Sequence, residues 1–148
     1  MGNKTIKEKP LWKCPKCNRH FANCDQSHSC VKASEEDFLK GRSAHEVALY
    51  RTFVKELESI GPILLAPAKT RVGFQVRMIF AAANKLSNGC LDAHVVLARR
   101  LEKSRFRKIE TVSPRNHVHH FRIERLEDFD TELREWFKEA YSVGKQEH

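Results

Sequence analysis

Cys14-Pro15-Lys16-Cys17 and, after a gap of ten residues, His28-Ser29-Cys30 are two compact pairs of soft ligands. A segment this short, flanked by lysines, has too little apolar surface to fold unaided, so metal binding of about 10–16 kcal/mol has to supply its stability. Zn²⁺ accepts thiolate sulfur and imidazole nitrogen in almost any order and closes a tetrahedron with four such donors. The spacing predicts a zinc knuckle within residues 1–33, with zinc as cofactor and Cys14, Cys17, His28 and Cys30 as its ligands. His20 and Cys24 are alternative donors, but Cys24 stands alone in the intervening loop. Four protein ligands leave no open coordination position, which makes the metal structural and not catalytic. A disulfide framework fits less well, because five cysteines are an odd number and no apolar signal segment precedes them. A redox CxxC would need a strand and helix around it, and none is patterned there.

The 148 residues leave room for one ordinary domain over residues 34–148. No run approaches the roughly 18 apolar residues that cross a bilayer, so a cytoplasmic protein with no membrane partner is expected. Charge is unevenly spread. Residues 44–123 carry fourteen Lys and Arg against six Asp and Glu, whereas residues 124–148 carry four against eight. A basic middle favours anionic partners such as nucleic acid or another phosphate-bearing ligand; a merely well-solvated surface is the plainer alternative.

Ser34-Glu35-Glu36-Asp37 reads as a helix start and Gly41 as its stop. Ser43 with Glu46 three positions on forms a second capping box, after which Val47, Tyr50, Phe53, Val54, Leu57 and Ile60 recur at helical spacing, predicting a helix over 44–60 that Gly61-Pro62 ends. From 62 to 123 the pattern changes to short β-type runs: 63–65, 70–78, 79–85, 90–98, 107–112 and 117–123, with Ser87-Asn88-Gly89 as a hairpin turn. Short connections imply an antiparallel sheet of five or six strands, one face on helices and the other polar. Leu126, Phe129, Leu133, Trp136, Ala140 and Val143 predict a last helix starting near 126. The expected fold class is α+β: an antiparallel sheet flanked by an N-terminal and a C-terminal helix, behind a zinc module.

The runs LWKCPKCNRHFANCDQSHSC from Leu11, KTRVGFQVRMIFAA from Lys69, LDAHVVLARRLE from Leu91 and TVSPRNHVHHFRI from Thr111, closed by Tyr141-Ser142-Val143-Gly144, resemble the bacterial proteins grouped as domain of unknown function 5655. The resemblance covers about residues 11–146. It implies that the cysteine pairs and the basic, histidine-bearing strands belong to one design, that Cys24 is a bystander, and, by analogy alone, a loose link to nucleic-acid transactions.

Three constellations carry candidate chemistry. On the run 70–78, period two places Arg71, Gln75 and Arg77 on one face with Gly73 as a notch between them, an arrangement that binds phosphate or carboxylate bidentately; an ordinary solvated sheet face is the alternative. His117 and His119 share a strand face, as in metal sites built from an HxH pair, with His94 as third ligand and Asp92 beside it; with Arg115 they also make a histidine and arginine pocket. Phe121 and Ile123 continue the same face, so the plainer reading of the two histidines is structural. Arg99, Arg100, Lys103, Arg105, Arg107 and Lys108 cluster around Phe106, which is either a stacking platform for single-stranded nucleic acid or the anchor of the next strand. No P-loop, GxSxG elbow or HExxH is present, so an enzyme is not indicated. The expectation is a zinc-containing module that binds an anionic ligand. A small phosphate-handling or metal-assisted enzyme and a protein-interaction adaptor are the competing readings.

Overall fold

The computed structural model describes residues 11–15, 20–21 and 34–146. Strands β1 (Trp12–Lys13) and β2 (His20–Phe21) form a two-stranded antiparallel ribbon. Cys17, His28 and Cys30, with which Cys14 is expected to bind zinc, lie outside the described residues, as does Cys24.

Helix α1 (Glu35–Leu39) starts at Ser34, whose Oγ accepts from the Asp37 N–H while the Asp37 carboxylate accepts from the Ser34 N–H. It ends before Gly41, whose φ of 75° suits a residue without Cβ. Helix α2 (Ala44–Glu58) begins with the expected box between Ser43 and Glu46. The second oxygen of that carboxylate accepts from the Gly89 N–H at 2.9 Å, which ties the helix start to the hairpin tip. Tyr50 on α2 donates to Glu35 on α1 at 2.5 Å and so locks the two helices together.

A six-stranded antiparallel sheet follows: β3 (Leu64–Pro67), β4 (Val72–Gln75), β5 (Ile79–Ser87), β6 (Cys90–Leu97), β7 (Lys108–Ser113) and β8 (Asn116–Ile123), in the order β3-β4-β5-β6-β8-β7. Asn88 (φ 53°) and Gly89 (φ 75°) make the β5–β6 turn, the positive dihedrals being those an Asn-Gly hairpin needs. The chain then loops to the edge strand β7 before returning as β8 beside β6.

Two expectations change. The run 70–78 is not one strand, since β4 stops at Gln75 and the next residues turn back into β5. The N–H groups of Arg77 and Met78 both donate to the Gly144 carbonyl, at 2.9 and 3.0 Å, which holds this turn against the last helix. That helix, α3 (Thr131–Gly144), does not start near Leu126. Leu126–Asp128 is a 3₁₀ turn with Leu126 47% exposed, and Asp130 is the cap, accepting from the Leu133 N–H at 3.0 Å. The Asp128 carboxylate is occupied by the N–H groups of Glu124 and Arg125, which stabilises the separate turn.

The core lies between one face of the sheet and helices α2 and α3. Phe53 is at its centre, edge-on to Phe74 (ring centroids 5.3 Å apart) and Phe121 (6.2 Å) and 5.3 Å from Phe137. Alternation along β8 follows from this: His117, His119, Phe121 and Ile123 are buried on the helix side, while His120 and Arg122 point away from it. No helix is long and apolar enough to cross a membrane among the described residues.

Candidate ligand-binding face

The helix-free face of the sheet is built from the residues that the core rejects. Antiparallel register sets Asp92 opposite Arg122 and His94 opposite His120, and directly opposite residues share a face. Asn84 is the extra residue of a bulge in β5, since Ala83 pairs with Ala93 and Lys85 already with Asp92. The turn from β3 into β4, closed by the Ala68 N–H on the Arg71 carbonyl at 2.7 Å, brings Lys69, Thr70 and Arg71 to one end of this surface. Arg107 and Lys108 arrive at the other with the start of β7. Together these elements surround a hollow of about 780 Å³ whose charged walls are Lys69, Arg71, Lys85, Asp92, Arg107, Lys108 and Arg122, with the His120 ring beside them.

The electrostatics are one-sided. Asp92 is engaged by Arg122 at 2.7 Å, and Lys108 by Glu110 at 3.4 Å. Lys69, Arg71, Lys85 and Arg107 have no carboxylate partner among the described residues. Away from the hollow, Arg51, Arg99, Arg100, Arg105 and Arg134 are each paired with Glu or Asp. His120 donates from Nε2 to Glu110 at 2.8 Å, and this bond, with Lys108, keeps the Glu110 carboxyl below its usual range. His94 lies under the same face, 8% exposed, its ring 5.3 Å from that of His120. Its Nδ1 accepts from the Asn84 amide at 2.9 Å, so the proton sits on Nε2. Burial, reinforced by His120 and Arg71, pushes His94 down to about 4. The Asn84 Oδ1 is buried without a hydrogen-bond partner among the described residues.

Not all the residues singled out in the sequence come together here. Arg71 lines the hollow and His94 lies close by. Gln75 is buried and structural: its amide donates to the His20 carbonyl at 2.8 Å, which attaches the ribbon to the sheet. Arg77 belongs to the β4–β5 turn and donates to Gln146 at 3.1 Å. Arg115 is in the β7–β8 turn, away from the hollow.

The triad of His94, His117 and His119 is not brought together, because His94 faces one side of the sheet and the other two face the opposite side. Both ring nitrogens of each inner histidine are also in use. His119 accepts from the Leu101 N–H at 3.0 Å and donates to the His117 carbonyl at 2.8 Å. His117 bonds Thr111 at 3.0 Å and the Pro114 carbonyl at 3.1 Å. Burial holds His119 below the ordinary imidazole range, consistent with a neutral core side chain. Phe106 is buried between Trp136 and His119, at 4.6 and 4.7 Å, and so offers no stacking surface. Among the described residues no three His, Cys, Asp or Glu side chains cluster as metal ligands, and Cys14 is buried beside the ribbon.

Lys85, Arg107, Lys108, His120 and Arg122 were not grouped from the sequence as one site. Parity was the available signal: in His117-Val118-His119-His120-Phe121-Arg122, an inward phase containing Phe121 necessarily sends His120 and Arg122 outward.

Compared with known protein families, residues 35–144 match the profile described as domain of unknown function, which spans the capped helices, the whole sheet and α3. The chain belongs to the DUF5655 family. No curated protein and no solved structure matches it. The hollow therefore sits wholly within the DUF5655 domain, and so do Lys69, Arg71, Lys85 and Arg107.

Proposed function

We propose that this DUF5655 protein is a binding module for a phosphate-bearing ligand, nucleic acid being the polymer of that chemistry, and that the ligand sits on the helix-free face of the sheet. The reading is carried by Lys69, Arg71, Lys85 and Arg107, which line one hollow with no carboxylate partner among the described residues. Like charges gathered without counter-charges repel one another, and an anion relieves that repulsion. Arginine forks at Arg71 and Arg107 suit phosphate oxygens bidentately, and the lysines add mobile point charges. Nothing in the reading calls for catalysis: of the sheet histidines, His117 and His119 are core members and His94 and His120 are hydrogen-bonded to Asn84 and Glu110.

Zinc is the second part of the proposal. Cys14, Cys17, His28 and Cys30 are three thiolates and an imidazole at structural-site spacing, and the burial of Cys14 is what a ligand of a closed site requires. A reducing, cytoplasmic setting belongs to the same reading, since such thiolates bind metal only while unoxidised. Metal analysis of the purified chain is expected to return one zinc per molecule, and Cys14→Ser to lose it; metal-free protein with native structure would remove this part.

The ligand part is tested by titrating a labelled oligonucleotide at several salt concentrations. Four phosphate contacts on a single strand give a slope of log K against log salt of about −3. The double variant Arg71→Glu/Arg107→Glu is expected to weaken binding about tenfold or more, with its thermal melt unchanged. Binding indifferent to salt, or unaffected by these reversals, overturns the reading.

A further inference from the structure

The hollow does not end at its own rim. Lys69, Thr70, Asn84 and Lys85 also wall a second concavity of about 340 Å³ that opens toward Arg42. Arg107 and Arg122 also wall a third of about 230 Å³ that reaches Arg105. Lining residues in common place the three hollows side by side as one trough-like row, from Arg42 past the β3–β4 turn to Arg105 ahead of β7. From β4 to β7 there are four interstrand spacings of about 4.8 Å, so the trough runs for about 19 Å. Of the four carboxylates on its walls, Asp92 is paired with Arg122, Asp37 and Asp128 accept from backbone N–H groups and keep their charge, and the fourth is Glu124.

We infer that the trough holds one flexible single strand of nucleic acid, about five nucleotides at a stacked rise of about 3.4 Å each, laid across the β-strands. The inference rests on the phosphate-binding reading of this face. A lone nucleotide would occupy only part of the middle hollow, which by itself reaches from Lys69 and Arg71 to Arg107 and Lys108, and would leave both flanking ones empty. A duplex is stiff over about 150 base pairs and is read by a helix or ribbon that projects into its groove; this surface is recessed instead. An extended peptide takes its affinity from backbone hydrogen bonds at a sheet edge. The trough crosses the interior strands β5, β6 and β8, whose backbone groups are already committed to their neighbours. A sugar–phosphate chain needs only the cations. Of the rings on the wall, Phe38 and Phe121 are buried in the core and His120 is the accessible one, so base stacking contributes little and binding should tolerate any sequence.

The experiment is fluorescence anisotropy on the full chain at low salt, with oligothymidylates of about three, six and twelve nucleotides, a twelve-base-pair duplex, inorganic tripolyphosphate and an oligoglutamate. Affinity is expected to rise about tenfold from three nucleotides to six and to level off beyond, with the duplex about tenfold weaker than the six-nucleotide strand. Arg42→Glu, which alters only the flanking concavity, should with a thermal melt matching the parent abolish the gain from three to six while leaving the three-nucleotide affinity within about threefold, whereas Lys69→Glu/Lys85→Glu should weaken every length. If tripolyphosphate binds but lengthening the strand brings no gain, or the duplex binds as well, the single-strand inference fails and the phosphate reading stands. Oligoglutamate binding as tightly as the six-nucleotide strand overturns the ligand class. If no phosphate compound binds, both fall.

Discussion

His94 is a neutral imidazole under a basic surface, and that gives it a measurable effect on stability. Its pKa lies at about 4 in the folded protein and at 6.5 when unperturbed. Between those values the unfolded chain binds the extra proton, so stability rises with pH through this window and is lost as pH falls from about 6.5 toward 4. The group's share is about 3 kcal/mol across the window. Urea unfolding at about pH 7 and pH 4.5 should show a larger acid loss in the parent than in His94→Gln; equal losses would contradict the burial argument. The sequence also marked His117 and His119, and the inward phase of β8 was readable from Phe121 and Ile123. What could not be read was that His94 pairs with His120 instead of joining them, because that depends on β8 inserting beside β6 after a long loop, and periodicity within one strand carries no information on pairing between strands.

At the scale of elements, Gly144 shows how the last helix is seated. A Cβ there would stand 2.7 Å from a Phe80 ring atom and 3.1 Å from the Phe80 Cβ, and its carbonyl already receives the Arg77 and Met78 N–H groups. Gly144→Ala therefore has to move α3 away from β5, and a loss of about 1–3 kcal/mol is expected from denaturant unfolding. A neutral result would mean that Phe80 shifts freely. Three residues earlier, the Tyr141 hydroxyl donates to the Pro62 carbonyl at 2.8 Å and lies where a Cβ on Gly61 would fall, so the Tyr-Ser-Val-Gly run docks the helix at both its turns. Element types and most boundaries were legible from capping boxes and the Asn-Gly turn, since those signals are local. The stop at Gln75 was not, because Val76 and Met78 keep the alternation going and only contact with Gly144 turns the chain. The start of α3 was misplaced for a related reason: Leu126 continues the apolar spacing, but Asp130 is the stronger cap.

Across the whole molecule, and among the described residues, the cluster around Phe53 draws its members from α1, α2, the sheet, α3 and the connecting segments that carry Phe106 and Phe129, all within residues 34–146. A chain lacking residues 1–33 should keep a single cooperative melt, losing the Gln75 contact with the His20 carbonyl and little of the core. A broad, non-cooperative transition in that fragment would show that the front segment is part of the main folding unit. Both long helices also stand on the same side of the sheet, so the exposed cations of its other side can be exchanged without disturbing what keeps the chain folded. Lineages sharing this scaffold are therefore free to exchange, reverse or lose its charges, and such divergence need leave no trace in their architecture.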